Sequence, residues 1–219
     1  MSFAHKDIER AIHKSQHCQR NWDLSRQIPP EDVDLLMTAL TQCPSKQNIA
    51  FYQAYVITNR EIIEKIHDCT DGFTINYEPH QTTTNTQVLA NMLIVFEERD
   101  VPLETSRDRH RNEHTWEMAE STTVSEDTTH YLNRDKHLAI GVAAGYLNLT
   151  AGLLGYATGC CSCFSYPQVQ AILGLKNACP LMMGIGFGDP NLGRRVHHLS
   201  KDFLFPAKTK QPIQVSYIS

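Results

Sequence analysis

Three short runs hold residue types that could do chemistry on a polar ligand. Pro44-Ser45-Lys46-Gln47-Asn48 offers a hydroxyl, an ammonium and two amides at one turn, which suits any polar ligand and equally a plain loop. Gln16-His17-Cys18-Gln19-Arg20-Asn21-Trp22 combines two basic side chains, a thiol and an aromatic ring. Taken alone, that run also fits the solvated end of a helix. Gly193-Arg194-Arg195 sets two guanidinium groups side by side after an apolar run. Such a pair can make charge-assisted hydrogen bonds to a phosphate, although arginine pairs are common on surfaces.

Other patterns lack the context their chemistry needs. Cys160 and Cys163 form a Cys-x-x-Cys, with Cys161 between them. A redox pair normally opens a helix in a β-α-β setting, and a zinc site needs a second ligand pair. This one follows a helix-like run and has no second copy, so small buried thiols are expected. His110-Arg111-Asn112-Glu113-His114 spaces two imidazoles one helical turn apart with a carboxylate between, but its flanks are charged rather than half-buried. Gly184-x-Gly186-x-Gly188 runs into Asp189-Pro190, and no β-α-β unit fits after it, so it fails as a dinucleotide fingerprint. No metal site and no general acid or base is assigned.

The elements that must position these runs follow from periodicity. Val33, Leu36, Met37 and Leu40 recur at helical spacing and predict a helix over residues 31–41. Aromatic and β-branched residues predict a strand over 51–58. Residues 4–16 fit an amphipathic helix with Ile8, Ala11 and Ile12 on one face, and 60–68 a second with Ile62, Ile63 and Ile66. Residues 73–86 are polar and turn-like, and 88–96 a buried strand. Residues 97–137, charged and rich in histidine, form a lid-like excursion or a pair of exposed helices. A central helix is expected within 138–159, a short helix over 167–175 and a core strand over 180–187. A loop follows at 188–199, and a strand-like tail ends the chain at 206–219. Helices and strands interleave, which indicates an α+β or α/β domain.

Composition sets the bounds. With 219 residues and 41 % apolar content, the chain can bury one substantial core, so 1–219 is taken as a single domain with a tail from about 203. A net charge of −4 gives no support to a nucleic-acid footprint. Residues 138–159 carry no charge, but their glycines, Asn148 and threonines, without basic flanks, favour a buried helix over a membrane span. Seven cysteines and no apolar leader suggest reduced thiols in a cytoplasmic setting.

In order and spacing, these runs resemble the nitroreductase family of FMN-dependent oxidoreductases. His17, Arg20 and Trp22 match the family's N-terminal flavin-binding run, with Gln16 in place of a common arginine and Cys18 in place of a serine. Pro44, Ser45, Lys46 and Asn48 match a loop that in the family approaches the flavin from the neighbouring subunit. The stretch 154–164 resembles the family's Leu-Gly, Thr, Gly-Phe pattern, with Ser162 and Cys163 at the backbone positions passing flavin N5. Cys163 stands there in place of a frequent glycine.

The resemblance implies a three-layer α+β sandwich with a mostly antiparallel central sheet, acting as a homodimer with FMN at the subunit interface. It implies hydride transfer from NAD(P)H to a small-molecule electron acceptor such as a nitroaromatic or quinone, with the flavin carrying the chemistry. Arg20 is expected at the pyrimidine end of the flavin, with Asn85 and Gln87 as weaker candidates there. His17, Cys18, Arg194 and Arg195 are expected at the phosphate. Lys46 and Asn48 are expected across the dimer interface. A dehalogenating or flavin-fragmenting relative, or a flavin-free dimeric binding module, are the alternatives.

Overall fold

The run Met-Leu-Ile-Val-Phe at residues 92–96 is the most strongly strand-forming stretch of the chain, and each of these residues is 1 % exposed or less. It forms the centre of the sheet in the computed structural model of the protein, which describes residues 4–76, 81–100 and 126–218. The first half of the chain holds α1 (His5–Ser15), α2 (Pro30–Thr41), β1 (Tyr52–Ile57), α3 (Arg60–His67), β2 (Phe73–Asn76), β3 (Gln81–Thr83) and β4 (Met92–Glu98). The second holds α4 (Glu126–Leu153), β5 (Ala157–Cys161), α5 (Tyr166–Leu173) and β6 (Leu181–Gly186). The 3-10 turns Lys46–Asn48 and Thr86–Val88 connect them.

The main sheet has the order β1–β4–β6–β5 and is antiparallel throughout. Alternation along β4 divides the core into two layers. Leu93 and Val95 face Trp22, Ile63, Ile66 and Val169, under α3 and α5. Met92, Ile94 and Phe96 face Leu36, Leu40, Ile140 and Leu147, under α2 and α4. The result is the expected α+β sandwich of helix, sheet and helix. Each fully buried Leu, Ile or Phe stabilises it by about 1.5–3 kcal/mol relative to an exposed one.

The structure corrects several sequence expectations. The apolar run 138–159 is one helix only as far as Leu153; Gly155 then adopts φ +90°, and the Tyr156 N–H closes back onto the Ala151 carbonyl at 2.8 Å. Glycine tolerates that conformation and ends the helix, which frees 157–161 to pair with β6. Residues 73–76 and 81–83 pair as two antiparallel strands instead of forming a turn-like stretch. On α1 only Ala11 is buried, against Gly152 of α4, while Ile8 and Ile12 are exposed. The tail 206–218 forms no regular element, since a strand needs a neighbour to complete its ladder. The excursion 97–137 starts at the end of β4 and finishes inside α4; its middle, with the pair His110 and His114, lies outside the described residues. Among the described residues no helix is long and apolar enough to cross a membrane.

Candidate functional site

After α1 the chain turns at Gln16 and bends at His17, and residues 18–22 form no regular element but are tied to several others. The Gln19 N–H donates to the Thr158 carbonyl at 2.7 Å, which lays the run beside β5. Asn21 is fully buried and its amide donates to the carbonyls of Gly193 (2.6 Å) and Val196 (3.2 Å). Trp22 enters the core and donates from its indole to the Thr86 carbonyl at 2.8 Å.

Arg20 is held at both backbone groups. Its N–H donates to the Arg194 carbonyl at 3.1 Å, and its own carbonyl accepts from the Thr86 hydroxyl at 2.6 Å. The side chain therefore points to Asn85, with Nη1 3.3 Å from Oδ1, while its Cζ sits 3.9 Å from the centroid of the Phe205 ring. Asn85 is itself fixed: it caps the Thr86–Val88 turn by accepting from the Gln87 N–H, and its amide donates to the Cys161 sulfur at 3.1 Å. Gln87 lies on that turn, pressed on the sheet. A Cβ at Gly184 would stand 2.2 Å from the Gln87 carbonyl oxygen. Gly159 and Gly184 thus serve close backbone approach and let Gln87 lie over the middle of the β5–β6 pair, while Asn85 reaches Cys161 at the end of β5.

Electrostatics gather further groups here. Burial lowers the pKa of the Arg20 guanidinium, Arg194 lowers it further, and Cys18, Cys161 and Cys163 oppose the shift. At the exposed end of the run, the His17 imidazole is lowered by desolvation, then by the charges of Arg194 and Lys210. The charged neighbours that perturb His17 are all cationic, so an anion bound among them would relieve their mutual repulsion. Burial raises the Cys161 thiol to about 11 and the Cys160 thiol to about 12, which keeps both protonated at neutral pH. Ser162 and Cys163 are exposed on the loop leaving β5, with the Cys163 carbonyl accepting from the Asp71 N–H at 2.9 Å.

The structure therefore gathers His17, Cys18, Arg20, Asn85, Gln87, Ser162, Cys163 and Arg194 around β5, at one edge of the sheet. Arg195 plays another part: its guanidinium donates to the Phe205 carbonyl at 2.8 Å and braces the C-terminal loop. The turn with Pro44, Ser45, Lys46 and Asn48 lies elsewhere. Lys46 pairs with the buried carboxylate of Asp135 at 2.5 Å, Ser45 donates to the Ile49 carbonyl, and Asn48 takes φ +54°. Asp135 is early in α4, whereas Asn148, which donates to the Ser15 carbonyl, is near its end. The two points are about 20 Å apart along the helix axis. Sequence reasoning missed Phe205, His197 and Lys210. The alternating Phe203-Leu204-Phe205 and the adjacent His197-His198 were visible as residues, but nothing in their spacing tied them to Arg20.

Comparison with known proteins points the same way. A family model described as "Nitroreductase family" matches residues 14–189. Among solved structures, a Bacillus subtilis protein provisionally named a nitroreductase superposes with a TM-score of 0.65 at 13 % identity, covering 98 % of this chain and 100 % of its own. A Staphylococcus epidermidis protein provisionally named an NAD(P)H:FMN oxidoreductase gives 0.62 at 16 % identity over 97 % and 94 %. An Exiguobacterium sibiricum protein, provisionally named a nitroreductase and solved in complex with FMN, gives 0.60 at 15 % identity over 97 % and 95 %. Among curated proteins no sequence match is found. With the match spanning most of the sequence and the sheet, helices and clustered residues arranged as described, this chain belongs to the nitroreductase family.

Proposed function

We propose that the protein is an FMN-dependent oxidoreductase whose cofactor lies along the run 17–22, against Asn85 and the loop after β5. The observation that carries this reading is the Arg20–Asn85 pair standing next to the cationic group of His17, Arg194 and Lys210. One end supplies a fixed donor for the pyrimidine edge of a flavin, and the other supplies cations for a phosphate dianion. The chemistry FMN supplies when bound is hydride transfer from NAD(P)H to an oxidised organic acceptor such as a nitroaromatic or quinone. The chain's own residues orient the ring and stabilise negative charge at its pyrimidine edge through Arg20. Ser162 and Cys163 would offer backbone groups at the reacting edge, with no side chain acting as acid or base.

The active form is a homodimer in this reading. Within one protomer Lys46 is tied to Asp135 and the start of the N-terminal run to Asn148, points about 20 Å apart along α4, and in this reading a second copy supplies Lys46 and Asn48. An exposed stripe on α4 supports this: Leu138, Val142, Tyr146 and Leu149 face outward. Gly141 and Gly145, on the same helix, have open space over them, which permits close helix approach. The exposed tail residues Ile213, Val215, Tyr217 and Ile218 add a second apolar surface that a partner would cover. The free thiols fit a reducing, cytoplasmic setting.

An absorption spectrum of the protein purified without added cofactor, followed by anaerobic NADPH, tests the reading. Two flavin bands that bleach with NADPH support it. A protein that stays colourless after FMN addition overturns it in favour of a flavin-free binding module.

A further inference from the structure

Residues 193–205 lie beyond the last residue that the family model matches, and they fold back over the N-terminal run. Val196 bridges Leu204, the His197 N–H donates to the Phe203 carbonyl at 3.0 Å, and the Phe205 N–H donates to the Arg195 carbonyl at 2.9 Å. His197, 1 % exposed, is the centre of this loop. Its Nδ1 accepts the N–H groups of Ser200 (2.8 Å) and Leu199 (3.2 Å), so the partners assign the ring proton to Nε2. Nε2 faces the Thr83 hydroxyl at 2.6 Å and the Thr84 carbonyl at 3.2 Å. The ring then stacks on Phe205, with centroids 5.8 Å apart and planes at 23°, and Phe203 meets both rings edge-on. Phe205 in turn lies under the Arg20 guanidinium. A continuous chain of contacts thus runs from the Thr83 hydroxyl and the Thr84 carbonyl through His197 and Phe205 to Arg20.

We propose that Phe205 and His197 are positioning residues for Arg20: Phe205 fixes the plane of the guanidinium, and neutral His197 fixes Phe205. The proposal rests on the flavin reading only for the identity of the ligand that Arg20 meets. An arginine side chain has many rotamers, and a desolvated aromatic platform selects among them and sets the plane in which the N–H groups point. Neutrality of His197 is required because a proton on Nδ1 would oppose two backbone donors. The groups facing the imidazole argue the same way: His67 from α3, Arg20 from the N-terminal run, and Lys201 and His198 from its own loop are all basic. Acid therefore loosens the stack, and Arg20 loses its platform.

Two readouts on the full-length protein decide the matter. In the cofactor-free protein, the Arg20 Nε–Hε resonance, assigned by its loss in Arg20→Lys, is expected upfield from the Phe205 ring current. It should return to the ordinary arginine position in Phe205→Leu, and in the wild type as acid charges His197. In FMN titrations, Phe205→Leu is expected to raise Kd on the order of tenfold, with Phe205→Tyr restoring it. Combining Phe205→Leu with Arg20→Ala should add little to Arg20→Ala alone. An Arg20 resonance that is unshifted in the wild type and indifferent to pH overturns the proposal without any variant, as does an unchanged Kd in folded Phe205→Leu. A shifted resonance in a protein that binds no FMN keeps the positioning role and overturns the flavin reading instead.

Discussion

The Thr158 hydroxyl donates to Asn148 Oδ1 at 2.5 Å, while the amide of the same asparagine donates to the Ser15 carbonyl at 3.0 Å. One side chain on α4 thus joins the start of β5 to the last residue of α1. The run that carries His17 and Arg20 begins one residue later, so its starting point is set by this pair of bonds. Replacing Asn148 with alanine leaves Thr158 and the Ser15 carbonyl without that partner. The expected cost is about 1–3 kcal/mol, read as a lower urea midpoint with an unchanged m value. Under the proposed function FMN affinity should fall as well, since the start of the run is no longer fixed. A variant as stable as the wild type would show that the bonds contribute nothing net.

Arg194 and Arg195 are neighbours with different work. Arg194 is exposed and its charge perturbs His17 and Arg20, whereas Arg195 donates to the Phe205 carbonyl and holds the C-terminal loop. Arg194→Ala should weaken FMN binding and flatten its salt dependence, with thermal stability of the cofactor-free protein unchanged. Arg195→Ala should lower stability by about 1 kcal/mol through the lost hydrogen bond. Equal effects of the two substitutions on both readouts would remove the distinction.

Much of the fold was legible because burial imposes period. The helix at α2 and the strands β1, β4 and β6 each carry enough apolar residues in register to be recognised alone. Strand β5 was hidden: Ala-Thr-Gly-Cys-Cys has weak strand propensity and continues an apolar helix, so the break depends on one glycine, Gly155, that takes a positive φ. The runs 16–22, 85–87 and 162–163 and residue Arg194, which the structure gathers into the candidate site, were picked out by their residue types, whereas the run 44–48 lies elsewhere in the protomer. The assembly of the site was not legible, because the contact between Arg20 and Phe205 and the support from His197 join residues far apart in sequence. The division of labour between Arg194 and Arg195 depends on which way each side chain turns, which no spacing encodes.

Acid should destabilise the protein through its paired histidines. Burial lowers His198 to about 4, with the charges of Lys201, Arg60 and His197 adding to it, and burial also lowers His197. The His198 Nδ1 accepts the Trp22 N–H at 3.2 Å, a bond that needs that nitrogen unprotonated. In the unfolded chain both imidazoles titrate near the ordinary 6.5. Between about 6.5 and 4 the unfolded state therefore binds more protons, and stability falls as pH drops through that window. Above 6.5 these two groups contribute no slope. Urea midpoints at pH 7.5, 5.5 and 4.5 measure this, and His198→Gln should reduce the slope.

Thiol labelling separates the cysteines by environment. Cys163 is exposed, while burial holds Cys161 at about 11 and both Cys160 and Cys179 at about 12. At pH 8 an aromatic disulfide reagent should modify Cys163 in the folded protein well before those three, because the thiolate is the reacting species. With FMN bound in the proposed position, the Cys163 reaction should slow. Fast labelling of Cys160 or Cys161 in the folded state would contradict the burial described here.

The shared site of the proposed dimer has a test that separates geometry from stability. Arg20→Ala removes a group that a protomer supplies to its own site, and Lys46→Ala removes one that it would supply to its partner's. Each homodimer should bind FMN poorly. Lys46→Ala should also lose some stability, because it takes the closest described cation from the buried Asp135 carboxylate, with Arg134 next at 3.4 Å. If the two variants are unfolded together, refolded and allowed to pair at random, half of the dimers hold one protomer of each kind. Every mixed dimer then contains one site with both residues intact and one with neither. About a quarter of the wild-type sites should therefore regain FMN affinity, on the assumption of random C2 pairing. If Lys46 serves only its own chain through Asp135, no site in the mixture is repaired and the affinity stays at that of the variants.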